Sequence, residues 1–118
     1  MSRDAKITLT WADGDYVFRL GWAEIAALQE AVDAGPYVVL NRLHTGQWRI
    51  EDISNVIRLG LIGGGFEPVK ALKLIRTYVE SRPPMENHPY AVAVLSAGLI
   101  GAPEEALGEG VAPDQAAE

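Results

Sequence analysis

Few residues of this chain are of a type and spacing that could do chemistry. Gly60 and Gly65 stand at the G-x-x-x-x-G spacing of a phosphate loop. Such a loop cradles phosphate with backbone N–H groups and is completed by Lys-Ser/Thr. Here Phe66 and Glu67 follow instead, and Glu67 would repel a phosphate. The order also runs from helix to glycines, the reverse of a strand–loop–helix phosphate site, so the glycines read as a helix stop. His44 and His88 are the only histidines, and no carboxylate stands three or four residues after either. They read as surface or cap residues rather than metal ligands. Asp13 and Asp15 could pose as a carboxylate pair for acid–base work, but they flank Gly14, where Asp is expected for turn chemistry. Ser54, Ser81 and Ser96 have neither a nucleophile elbow nor a recognisable base. With no cysteine, thiolate chemistry, disulfides and Cys-ligated zinc are excluded. No cofactor and no enzymatic activity are expected.

The remaining conspicuous side chains are Trp11, Trp22 and Trp48, expected to pack where hairpin meets helices. Trp48, just outside a helix start, is the one expected to be partly exposed and to serve as an interface anchor.

These residues must be carried by a short series of elements. Ile7, Leu9 and Trp11 alternate with Thr8 and Thr10, and Tyr16, Phe18 and Leu20 with Val17 and Arg19. Asp13-Gly14 between the runs predicts a β-hairpin over residues 6–20, with glycine supplying the positive φ of the turn. A lone hairpin is marginal, so its apolar face must lie on helices or on another chain. A first helix is predicted over Trp22–Ala34, with Trp22, Ile25, Ala26, Leu28, Gln29 and Val32 inward and Gly35 as its cap. Pro36 opens a second helix to Thr45, closed by Gly46. Residues 49–62 form a third, with a stripe of Ile50, Ile53, Val56, Ile57 and Leu61. Its first turn holds Glu51 and Asp52, Arg58 stands toward its end, and Gly63-Gly64-Gly65 stop it. Pro68 opens a fourth, with Val69, Leu72, Ile75 and Val79 inward, Lys70, Lys73 and Arg76 outward, and Pro83-Pro84 ending it. Pro89 opens a fifth, whose Ala91, Ala93, Ala97 and Gly98 permit close approach.

The expected architecture is therefore α+β and mostly helical. An N-terminal β-hairpin packs on about five short helices over residues 1–101, and an acidic tail, 102–118, is expected to be disordered. That tail holds five acids and no base, which leaves eleven acids against ten bases in residues 1–101. A nearly neutral body has no basic face for nucleic acid, and nothing invites an anionic membrane. No apolar run reaches the length of a membrane span. Met1–Lys6 lacks the apolar region of a signal peptide, so the cytoplasm is the expected location.

The order of these elements, with "LQEA" (28–31), "TGQW" (45–48) and "VIRLGLIGGG" (56–65), resembles the small gene-transfer-agent protein family of alphaproteobacteria. That family is classed with phage tail assembly chaperones and has also been labelled a tail tube protein. The resemblance covers about residues 5–101. It implies a non-enzymatic assembly factor that binds the tape-measure protein, assists tail-tube polymerisation and is absent from the mature particle. The alternative it leaves open is a structural tube or terminator subunit that stays in the particle. A homo-oligomer is compatible with either. A helix-turn-helix regulator would need a more basic recognition helix than Lys70, Lys73 and Arg76 provide. Within this reading Trp48, Ile50, Ile53, Ile57 and Leu61 are the expected protein-binding residues, and Gly63, Gly64 and Gly65 the expected hinge.

Overall fold

The computed structural model describes residues 4–101. The acidic tail lies outside the described residues. Two strands, β1 (Lys6–Trp11) and β2 (Gly14–Arg19), form an antiparallel hairpin. Ile7 faces Phe18 and Leu9 faces Tyr16 across the ladder, so one face is apolar throughout. The two-residue loop is Ala12-Asp13, because Gly14 already pairs with Trp11. The positive φ expected of Gly14 falls instead on Ala12, at 57°. Asp13 still does turn work, accepting the Tyr16 hydroxyl. Asp15 Oδ1 accepts Thr10 Oγ1 at 2.6 Å.

Five helices follow: α1 (Trp22–Val32), α2 (Pro36–Thr45), α3 (Ile50–Gly63), α4 (Pro68–Tyr78) and α5 (Pro84–Ile100). α1 stops before Ala34 because Asp33, not Gly35, takes the left-handed cap conformation at φ 52°. α2 and α4 each begin on the expected proline, whose missing N–H costs nothing in a first turn. α5 begins on Pro84 for the same reason, with Pro83 as its N-cap. The expected start at Pro89 is therefore corrected: Pro89 lies inside the helix on its exposed side, and α4 has ended at Tyr78, before the prolines.

The core gathers around α3, which packs on β2, α1, α4 and α5. Phe18, Leu20, Leu28, Leu43, Ile53, Ile57, Leu61, Ile75 and Leu95 are fully enclosed there. Trp11 is buried with them, as expected. Trp22 is not: it is 91% exposed, because α1 turns Leu28 and Val32 inward and leaves its first residue in solvent. Ala26 and Gln29 are exposed for the same reason. In α4 the inward face is Ala71, Ile75 and Val79; Val69 and Leu72 point outward. Gly98 in α5 sits where an added Cβ would come within 2.8 Å of Leu20 Cβ, so the small residues of this helix do permit close approach.

Candidate functional site

α3 is fixed at both ends, and each end is built differently. At its N-terminus Arg49 is the N-cap, and the Asp52 carboxylate one turn on accepts the Arg49 N–H at 2.9 Å. That is one half of a capping box, and it places negative charge at the positive end of the helix dipole. Asp52 is fully buried and is held by a two-pronged Arg42 contact. Arg42 Nε donates to Oδ2 at 3.0 Å and an Arg42 terminal nitrogen to Oδ1 at 2.7 Å. α2 is thereby locked to the start of α3. A fork of this kind is the geometry in which a buried carboxylate is best compensated.

Beside this lock lies a groove of about 370 Å³ between the start of α3 and the α4–α5 connection. Ile50, Ile53, Val79 and Pro84 line it, with Glu51, Ser54, Glu80 and Arg82 adding polar groups. Arg82 is held by Glu86 at 2.9 Å and lies 5.3 Å from the Tyr78 ring centroid. Ile50 is 60% exposed, so it stands at the mouth rather than in the core. Met85, next to Pro84, is exposed as well. Trp48 is half-buried and lies against His88, with ring centroids 5.8 Å apart. His88 Nε2 donates to the Leu43 carbonyl at 2.7 Å, which ties α5 to the end of α2. His88 is thus a cap residue, while His44 is exposed.

Of the five residues expected to bind a partner, only Ile50 and Trp48 have surface to offer. Ile53 is buried but forms part of the groove floor, whereas Ile57 and Leu61 are enclosed in the core, and a partner would reach those two only by parting α3 from its neighbours.

The C-terminal end of α3 is a close approach to the hairpin. A Cβ on Gly63 would stand 1.8 Å from the Arg19 carbonyl oxygen, and one on Gly64 would stand 2.1 Å from that of Val17. Gly60, one turn earlier, has Val94 and Phe18 where its side chain would be. Within this run it is Gly65, at φ 106° with open space around it, that uses glycine's conformational freedom. A hinge at this point would have to separate α3 from β2.

Two polar residues that bind the frame together carry no sequence signal of their own. Asn87 is buried, accepts the Trp11 indole N–H at 2.7 Å and donates to the Tyr78 carbonyl at 2.9 Å. It joins β1, α4 and α5. Arg42 is the other. Among the described residues no group of His, Asp and Glu is arranged to hold a metal ion. No helix there is long and apolar enough to cross a membrane.

Residues 4–101 match the family described as Phage tail tube protein, GTA-gp10. The chain belongs to that family. It is a family of phage tail proteins rather than of enzymes. The match covers the hairpin, all five helices, the groove and the glycine contact. No curated protein and no solved structure gives a significant match.

Proposed function

We propose that this tail-family protein is a non-enzymatic assembly factor that binds the tape-measure protein and assists tail-tube polymerisation. In this role it works in the bacterial cytoplasm and is left behind when the particle is complete. The observation that carries the reading is the groove at the start of α3. It offers an apolar floor, exposed Ile50 at its mouth and a polar rim, set in a frame held by Arg42–Asp52 and Trp48–His88. A groove of this kind suits one turn of an amphipathic helix, with a bulky apolar side chain as anchor. A tape measure is a long helical chain that presents such turns.

Co-expression of the full chain with fragments of the cognate tape measure tests the proposal. Retention of a fragment by the native protein, and its loss with Ile50→Asp, is the expected result. If no fragment is retained or solubilised, the reading fails.

The second reading is a structural subunit of the tail tube or its terminator, favoured by the description of the family. The two-stranded sheet leaves both hairpin edges without a strand partner among the described residues, so a neighbour's strand could extend it. Mass spectrometry of purified particles separates the two. Ring-multiple copies in the particle support the subunit, and absence from it supports the assembly factor.

A further inference from the structure

α4 has the least cover of the five helices. Its inner face packs chiefly on α3. On the outer side Val69, Leu72, Lys73 and Arg76 follow the i, i+3, i+4, i+7 spacing that puts side chains on one helical face. Val69 is 64% exposed and Leu72 37%, and Lys70 borders them. The helix contains no acidic residue, although Glu67 and Glu80 stand just beyond its ends. Arg19, Arg42 and Arg82 are each ion-paired, whereas Lys70, Lys73 and Arg76 have no ion-pair partner among the described residues. A chain of net charge −6 thus presents one face that is both apolar and positive.

The complement of that face is written at the end of the same chain. Residues 102–118 hold Glu104, Glu105, Glu109, Asp114 and Glu118 and no base. Their bulky apolar residues are Leu107 and Val111. The seventeen residues leave from Gly101 and can span up to about 55 Å. Leu107 and Val111, six and ten residues past Gly101, can stand up to about 20 Å and about 35 Å from it, on a described body of 37 × 29 × 27 Å. A tethered segment of this length meets its site at an effective concentration on the order of 1 mM, which makes even a weak contact significant.

We propose that residues 102–118 dock on the outer face of α4, placing Leu107 and Val111 against Val69 and Leu72 and the carboxylates beside Lys70, Lys73 and Arg76. The chain then shields this face itself, and an external partner gains it only by displacing the tail.

Because the chain has no cysteine, Ala112→Cys provides a single nitroxide attachment point in the full-length protein. At low salt the label broadens amide signals of residues 69–77 and spares the hairpin turn and α1. Salt near 0.5 M, where the screening length falls to about 4 Å, removes the broadening. Lys73→Glu with Arg76→Glu removes it too, at exposed positions that leave the fold intact. Each surface charge contact is worth about two- to fivefold in occupancy, so the double reversal lowers the docked fraction several-fold. Four results overturn the proposal. They are no selective effect on α4, broadening centred on groove residues 50–54 and 79–84, persistence through both salt and charge reversal, and transfer to unlabelled copies in a mixed sample. The last would place the tail on a second molecule.

Discussion

Gly63→Ala asks whether the glycine run serves close packing or free movement. An added Cβ would stand 1.8 Å from the Arg19 carbonyl oxygen, whereas nonbonded contacts settle near 3.5 Å. The two backbones would have to part by roughly 1.5 Å. The obstacle is a main-chain oxygen, so no side-chain rotation relieves it, and the Glu24 carboxyl carbon closes the other side at 3.1 Å. Overpacking of this severity lies at the upper end of the usual ~1–3 kcal/mol. Against it, alanine in place of glycine at the end of a helix returns up to about 1 kcal/mol. A net loss of about 2 kcal/mol remains, equivalent to a Tm lower by about 8–16 °C for a domain of this size. Two companions make the measurement specific. Gly14→Ala has nothing within 4 Å and no left-handed φ, so its Tm stays near that of the native chain. Gly65→Ala has open space but φ 106°, so it loses about 1–2 kcal/mol through backbone strain alone. Thermal unfolding followed by circular dichroism ranks the three. If Gly63→Ala unfolds within a degree or two of the native chain, α3 does not lie against β2 as described. Unchanged stability with impaired partner binding would instead favour the hinge at Gly63–Gly65.

Three further outcomes follow from the same frame. Arg42→Ala strands the fully buried Asp52 carboxylate and lowers stability by about 3–5 kcal/mol in urea unfolding; a loss under 1 kcal/mol would mean that the pair is not sequestered. Ala12→Gly relieves the left-handed residue of the hairpin loop and raises stability by about 1 kcal/mol, whereas a fall would contradict the Ala12-Asp13 turn. The Tyr16 phenol is pushed up to about 12, first by its hydrogen bond to Asp13, then by burial, then by the charge of Asp13. In the unfolded chain it ionises near 10, so between pH 10 and about 12 the unfolded state releases the proton first. The contribution of Tyr16 is whole below pH 10 and fades as pH rises toward 12. Tyr16→Phe should therefore lose less stability than the native chain over that interval, and parallel pH profiles would count against the Asp13 contact.

The elements legible in the sequence were those announced by local chemistry. Pro36 and Pro68 mark first turns because proline's geometry suits that position better than a helix interior. The alternation in residues 6–20 gave the hairpin because a strand's period of two is set within the strand. What stayed hidden depends on distant neighbours. Trp22 reads as an inward residue until Leu28 and Val32 are seen to orient α1. Gly63 and Gly64 read as a stop until Arg19 and Val17 are seen to lie against them. Asn87 carries no signal at all, since its partners are Trp11 and the Tyr78 carbonyl. The groove was half legible: the stripe of α3 pointed to Ile50, but Val79, Arg82 and Pro84 arrive from another part of the chain.

Both ends of α3 hold the fold together, and the proposed reading places recognition in the groove beside its N-terminal end. The C-terminal end is wedged against the hairpin by glycines that leave no slack. The N-terminal end is pinned to α2 through Arg42 and Asp52, and α5 is tied to α2 through His88 and the Leu43 carbonyl. The groove lies between elements that are already held, so filling it requires little further ordering of this chain, which keeps the entropic cost of binding low. It follows that the two classes of variant should separate. Changes at Gly63 or Arg42 act on folding first and on binding only through it. Ile50 touches the groove yet is largely exposed, so Ile50→Asp should weaken tape-measure retention at nearly native Tm. A parallel loss of stability and retention with Ile50→Asp would mean that the groove is part of the core and not a surface kept open for a partner.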